Sequence, residues 1–183
     1  MRSKLFSLLF LIIVFLGFIS FSPSIHLHKV QHRNSDSTTY NIIIDKSDYE
    51  LKVYDAEGWY ATYPVVFGSK DLGDKMKEGD KRTPNGNFKV LLKKVHIKWG
   101  QELLLDYPTK ENIELFNKRK ANGLIPKTAR IGNGIAIHGT RPEEEWTIDN
   151  EYGWTDGCVS LKYTEMQDLF AYIPEGTKVK IQP

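Results

Sequence analysis

The chain has 183 residues, with 25 Lys+Arg, 23 Asp+Glu, five His and a single Cys, a length that suits one domain of roughly 100–200 residues plus an appendage. Arg2, Lys4, Lys29 and Arg33 stand against Asp36 alone in residues 1–39, which leaves residues 40–183 with 21 positive and 22 negative side chains. That near-neutral balance gives a nucleic-acid-binding surface no support, and the lone Cys158 excludes an internal disulfide and any multi-cysteine metal site.

Residues 1–21 open on Met-Arg-Ser-Lys and continue as an apolar run, Leu5 to Phe21, broken only by Ser7, Gly17 and Ser20. A positive segment followed by an apolar one is the layout of a secretory signal. The alternative is a single membrane anchor, because the run sits near the lower end of the roughly 17–25 residues that cross a bilayer. There is no Ala-x-Ala cleavage site, only Ser20, Ser22 and Ser24 around Pro23, and no cysteine follows that would carry a lipid. Either reading keeps Arg2 and Lys4 on the cytoplasmic side and exports the remainder. A free thiol in an oxidising compartment then calls for a use.

Residues 22–39 are polar and aperiodic, as a linker is. His26, His28 and His32 fall within it, but no Cys, Asp or Glu sits among them to complete a metal shell, so no metal site is expected.

From Tyr40 the pattern becomes one of short strands. Asn41–Ile44 and Tyr49–Tyr54 flank a turn at Asp45–Asp48, a hairpin signature. Tyr60–Phe67 and Asn87–Val95 continue the β signal around a charged, glycine-rich stretch, Gly68–Gly86. Thr109–Asn122 reads as a helix with Ile113 and Phe116 on one face and Gly123 as its stop. A strand over Ile131–His138, a loop from Gly139 to Gly157 and a short apolar run at Cys158–Leu161 follow. Thr164-Glu-Met-Gln167 reads as a capping box for a second helix, with Met166, Leu169, Phe170 and Ile173 at helical spacing. Val179 and Ile181 alternate with Lys178 and Lys180 in a closing strand. These elements predict a mainly β domain with a few helices, a sandwich or open barrel, over residues 40–183.

The chemistry concentrates in Ile135-Ala-Ile-His-Gly139 and Thr155-Asp-Gly-Cys-Val-Ser-Leu161. Strand alternation puts His138 and the small Ala136 on one face, and the sixteen residues between His138 and Thr155 suffice for a loop to leave the sheet and return Cys158 to the histidine. Such a pair activates a thiol: the thiolate is the nucleophile and the imidazole shuttles its proton. Gly157 leaves the sulfur open, and the amides around Gly157 and Cys158 are placed to donate to an oxyanion. The bland reading, a small buried cysteine and a histidine satisfied in the core, is weakened by the two occurring together, each beside glycine, in an exported chain.

His138 followed after sixteen residues by Thr155-Asp-Gly-Cys158 resembles the His…Ser/Thr-x-Gly-Cys signature of the L,D-transpeptidase, or YkuD, catalytic domain. Asn41–Tyr54 is similar to that family's opening strand pair, Thr83-Pro84-Asn85-Gly86 to its Thr-Pro-x-Gly turn, and Thr164–Ile181 to its terminal helix and strand. Glu78–Gly86 and Tyr107-Pro108 resemble the compact branch without peptidoglycan-binding modules. The resemblance implies a β-rich fold and a cysteine acyltransferase without cofactor. Its partners would be peptidoglycan stem peptides as donor and an amine as acceptor, in the periplasm or at the outer face of the cytoplasmic membrane. It implies Cys158 as nucleophile and His138 as general base and acid. The orienting carbonyl would come from Gly139 or Thr155, and the oxyanion contacts from the amides of Asp156, Gly157 and Cys158. The sequence departs from the family where Asp156 replaces a frequent His and Ser160 a frequent Arg, and the latter removes a bidentate partner for a substrate carboxylate.

Trp146, Tyr152 and Trp154 are packing anchors or a wall of a substrate groove, with Tyr152, Trp154 and Ser160 as candidate substrate contacts. Glu143–Glu145 form a solvated loop face or steer a cationic acceptor. Gly68–Lys75 lacks the ending of a P-loop, and Gly132-Asn-Gly134 precedes a strand instead of opening a helix. The competing functions are an L,D-carboxypeptidase or amidase, in which water takes the acyl group, and a non-catalytic wall-binding module with a structural Cys158.

Overall fold

A computed structural model describes residues 39–97 and 100–183 of the protein. The expected leader or anchor at residues 1–21, the linker and the three linker histidines lie outside them. Among the described residues no helix is long and apolar enough to cross a membrane.

The predicted hairpin forms from β1 (Asn41–Asp45) and β2 (Glu50–Asp55), with Ile42, Ile44, Leu51 and Val53 all buried, as period-two alternation requires. Asp45 Oδ1 accepts from the Ser47 and Asp48 amides and sets the turn. β3 (Gly58–Pro64), β4 (Gly86–His96), β5 (Gly100–Leu105), β6 (Ala136–Gly139), β7 (Val159–Leu161) and β8 (Lys178–Gln182) complete one sheet in the order β3-β2-β1-β8-β4-β5-β6-β7. The pairs β1/β8 and β6/β7 are parallel and the rest antiparallel. Just past β3, Val66 and Ser160 exchange backbone hydrogen bonds of 2.9 Å in both directions, so the two ends of the sheet meet and a barrel nearly closes. The mainly β expectation holds.

Sequence reading missed β5, because Glu-Leu-Leu-Leu has no period-two alternation. Leu103 and Leu105 face the core, while Glu102, on the opposite face, is also buried. The helices differ in detail. In α1 (Lys110–Ala121) Thr109 and Asn112 cap each other reciprocally, and only Phe116 is buried; Ile113 is 45% exposed, so the helix rests on the domain by a narrower face than predicted. α3 (Tyr163–Tyr172) starts before Thr164, whose amide and hydroxyl donate to Glu145 instead of capping; Glu165 accepts from the Lys162 amide at 3.3 Å. Of the four residues at helical spacing, Met166, Leu169 and Ile173 are buried and Phe170 is half-buried. The loop between β6 and β7 carries a 3-10 turn (Pro142–Glu144) and a short helix, α2 (Trp146–Asp149).

Two faces of the β5-β6-β7 region divide the labour. Leu103, Ile137 and Val159 lie in one paired row on the core face. Met166 of α3 covers that face so closely that a Cβ at Gly139 would lie 3.2 Å from its own Cβ. On the opposite face lie Glu102, Ala136, His138 and Ser160, all buried, with Trp154 of the β6–β7 loop against His138.

Candidate active site

His138 stands in β6 and its side chain is buried. Its Nδ1 lies 2.9 Å from the Gly139 carbonyl. A carbonyl only accepts, so Nδ1 carries the hydrogen and Nε2 is left as the basic nitrogen of the neutral ring. Of the two orienting carbonyls expected, the contact is with Gly139. The Trp154 ring meets the imidazole edge to face, with centroids 5.3 Å apart.

The parallel β6/β7 ladder pairs Ile137 with Val159 and His138 with Ser160. Cys158, one residue before Val159, therefore lies alongside Ala136, on the face of His138 and two register positions from it. Its thiol donates to the Gly134 carbonyl at 3.5 Å. Burial pushes the Cys158 thiol up from its ordinary range, opposed by the Ala136 backbone and the Lys75 charge and reinforced by Glu102 and Asp156. Burial likewise holds the His138 imidazolium below its ordinary range, opposed by the Gly139 carbonyl and Glu102. Burial acts on both groups in favour of their uncharged forms.

The loop before Cys158 is held by its neighbours. Thr155 is buried, and its hydroxyl donates to the Cys158 carbonyl at 2.8 Å and accepts from the Gly157 amide at 3.2 Å. The Gly157 amide is thus engaged within the loop, unlike the free oxyanion donor expected from the sequence, and Thr155 acts through its hydroxyl instead of as the histidine's carbonyl partner. Gly157 has φ +127°, and a Cβ there would lie 2.6 Å from the Arg82 carbonyl oxygen. On the other side, a Cβ at Gly68 would lie 2.0 Å from the Thr155 carbonyl oxygen. The loop is clasped between residues 66–68 and 81–83.

Two buried ammonium groups fix the second clasp. Lys46 Nζ donates to the carbonyls of Leu72, Gly73 and Thr83 at 2.6, 3.1 and 3.3 Å. Lys75 Nζ meets Asp80 at 2.8 Å and the Arg82 carbonyl at 3.3 Å. Asp80 in turn accepts from the amides of Met76, Lys77 and Arg82. Lys46 and Lys75 were missed in the sequence because lysine is almost never fully buried unless paired, and their partners lie in a stretch without periodicity.

Asp156 is exposed. Ser160 is fully buried between Val66 and His138, with its Oγ unpartnered, so it offers a substrate no exposed surface. Trp146 and Tyr152 are 53% and 55% exposed with ring centroids 5.5 Å apart, a ledge rather than packing anchors, whereas Trp154 is half-buried against His138. Among the described residues no three His, Cys, Asp or Glu side chains converge as metal ligands.

A family model described as YkuD, the L,D-transpeptidase catalytic domain, matches residues 39–181. The fold is similar to that of the helical cell shape determining protein Pgp2 from Campylobacter jejuni, with 21% identity, a TM-score of 0.59, and 80% of this chain and 48% of that one covered. Bd1075 from Bdellovibrio bacteriovorus matches at 21% identity and a TM-score of 0.53, over 83% of this chain and 51% of that one. L,D-transpeptidase 3 from Mycobacterium tuberculosis, solved with a faropenem-derived adduct, matches at 12% identity and a TM-score of 0.52, over 80% and 61%. The chain thus spans about half the length of the first two. The comparison with curated proteins gave no match.

Proposed function

The chain belongs to the YkuD family of L,D-transpeptidase catalytic domains, and from this premise we propose that it is a cysteine acyltransferase acting on peptidoglycan stem peptides in the bacterial cell envelope. The observation that carries the reading is the β6/β7 register, which lays Cys158 and His138 on adjacent strands and one face while Gly139 holds Nδ1 and leaves Nε2 basic.

In this mechanism the Cys158 sulfur turns from the Gly134 carbonyl and attacks the carbonyl of the stem-peptide bond as its proton passes to His138 Nε2. The oxyanion is taken up by the amides of Asp156 and Cys158, since that of Gly157 is engaged by Thr155. Collapse expels the terminal residue, whose amine takes the proton from the imidazolium, and leaves a thioester on Cys158. An acceptor amine then gives its proton to Nε2 and attacks the thioester, restoring the thiol. Trp154 forms a wall of the groove beside His138, with Tyr152 on the exposed ledge beyond it.

Muropeptide mass spectrometry with the purified full chain tests the proposal. Cross-linked dimer with the wild-type chain and none with Cys158→Ala is the expected result. Undiminished product from the alanine variant overturns it. Trimmed monomer in place of dimer would assign the acyl group to water, as in an L,D-carboxypeptidase or amidase.

A further inference from the structure

The face that carries His138 also carries a buried charge that the reaction scheme above does not use. Glu102 in β5 is paired directly with His138 in β6, which places their Cβ atoms roughly 4.5–5.5 Å apart. It is only 5% exposed. Its carboxylate is met from the far side by Lys94 of β4, Nζ to Oε1 2.8 Å, across the next rung of the sheet. Lys94 reaches this face because β4 and β5 slip register between Val90 and Leu92, and a bulge of that kind turns the following side chains over. The result is one row across four strands, Lys94, Glu102, His138 and Ser160.

We propose that Glu102, held by Lys94, is a positioning residue for His138, its buried carboxylate offsetting the charge of the imidazole while that ring carries the Cys158 proton. The inference rests on the acyltransfer reading of the site. The Gly139 carbonyl fixes the ring's tautomer but supplies only a dipole. Moving the proton from Sγ to Nε2 creates an imidazolium in a place from which water is largely excluded, and a full negative charge on the next strand stabilises it far better. The same charge disfavours the thiolate. Cys158 lies one strand further away, so the balance favours transfer.

The Trp154 ring meets the imidazole edge to face. Glu102 faces the imidazole from β5 and Cys158 from the start of β7, with His96 at the end of β4 acting in the opposite sense to Glu102. α3 covers the other face, and Gly139 meets the ring through its backbone carbonyl.

The test uses the full chain and two readings, the titration of the His138 ring by NMR and the pH profile of kcat/KM on muropeptides. In Glu102→Gln the ring should titrate at lower pH than in wild type, the acid limb of the profile should move the same way, and kcat should fall by roughly tenfold or more. That loss is a part of the roughly 10²–10⁴ that general acid–base work contributes. Glu102→Asp, which keeps the charge, should restore both. Lys94→Gln removes a half-exposed cation, leaves the carboxylate, and should move the ring's titration to higher pH. A ring titration unmoved by Glu102→Gln, or moved the same way by both neutralising variants, overturns the inference, as does a shifted ring with an unshifted acid limb. A merely structural ion pair would lower the melting temperature and move none of these. Absence of Cys158-dependent turnover in the wild-type chain overturns the acyltransfer reading instead, while the ring titration still reports on Glu102 and His138.

Discussion

Gly157 and Arg82 pack so closely that a Cβ on the glycine would lie 2.6 Å from the Arg82 carbonyl oxygen, and the glycine's φ of +127° is one that L side chains rarely adopt. Gly157→Ala therefore meets strain twice. The backbone conformation alone costs about 1–3 kcal/mol, and relief of the clash would have to move the residue next to Cys158. The expected outcome is a lower melting temperature together with loss of most turnover. Gly123→Ala is the control, because that glycine, just past α1, also has positive φ (+70°) but a Cβ there meets nothing within 4 Å; it should be destabilised only through its backbone conformation and keep its activity.

Replacing His138 by Gln should lower the rate of acyl-enzyme formation by roughly 10²–10⁴-fold, measured in single turnover, with binding of the stem peptide retained. A variant that reacts at the wild-type rate would remove the imidazole from the mechanism.

The Cys158 thiol is pushed up by burial. A raised value means less thiolate at neutral pH than in free cysteine, so iodoacetamide should alkylate Cys158 more slowly than a cysteine model at pH 7, with the rate still climbing on the alkaline side of the usual thiol range. Fast alkylation with a plateau below neutrality would show a resting thiolate–imidazolium pair in place of the neutral one.

His138 gives stability a pH dependence of known sign. Its folded-state value is depressed by burial from the ordinary 6.5, so the unfolded chain binds the extra proton first. The contribution is whole above that ordinary value and is lost as pH falls through the folded one. Melting temperatures should drop on acidification below about 6.5, and His138→Gln should flatten that part of the curve.

Lys75 and Asp80 form an ion pair with side chains 4% and 11% exposed. Lys75→Met leaves a buried carboxylate without its cation, which costs about 3–5 kcal/mol. The urea midpoint should fall accordingly. The Cys158 thiol should titrate still higher, because the Lys75 charge lowers it in the wild-type chain.

Much of this molecule was legible from residues alone. Alternation at Ile42, Ile44, Leu51 and Val53 defined the hairpin, because one of its faces is buried and the other is not. The helical spacing of Met166, Leu169 and Ile173 defined α3 for the same reason. The segment Gly100–Leu105 escaped because it is buried on both faces, which erases the period that marks a strand. Thr164 misled because a cap is recognised by backbone position, and Glu145 takes its hydrogen bonds from a loop nineteen residues away.

The site divides along the same line. The sequence by itself determined the types and spacing of the candidate reacting groups, His138 and Cys158 with Gly157 just before the sulfur, since these are read directly along the chain. Only the tertiary structure decided what else surrounds them: Gly68 and Arg82 clasping the loop, Lys75 behind it and Glu102 beside the imidazole. Those partners come from strands and turns far away in sequence. Whether a carboxylate or an ammonium bears on a site depends on register and burial, and a single slip between Val90 and Leu92 is enough to bring Lys94 to Glu102.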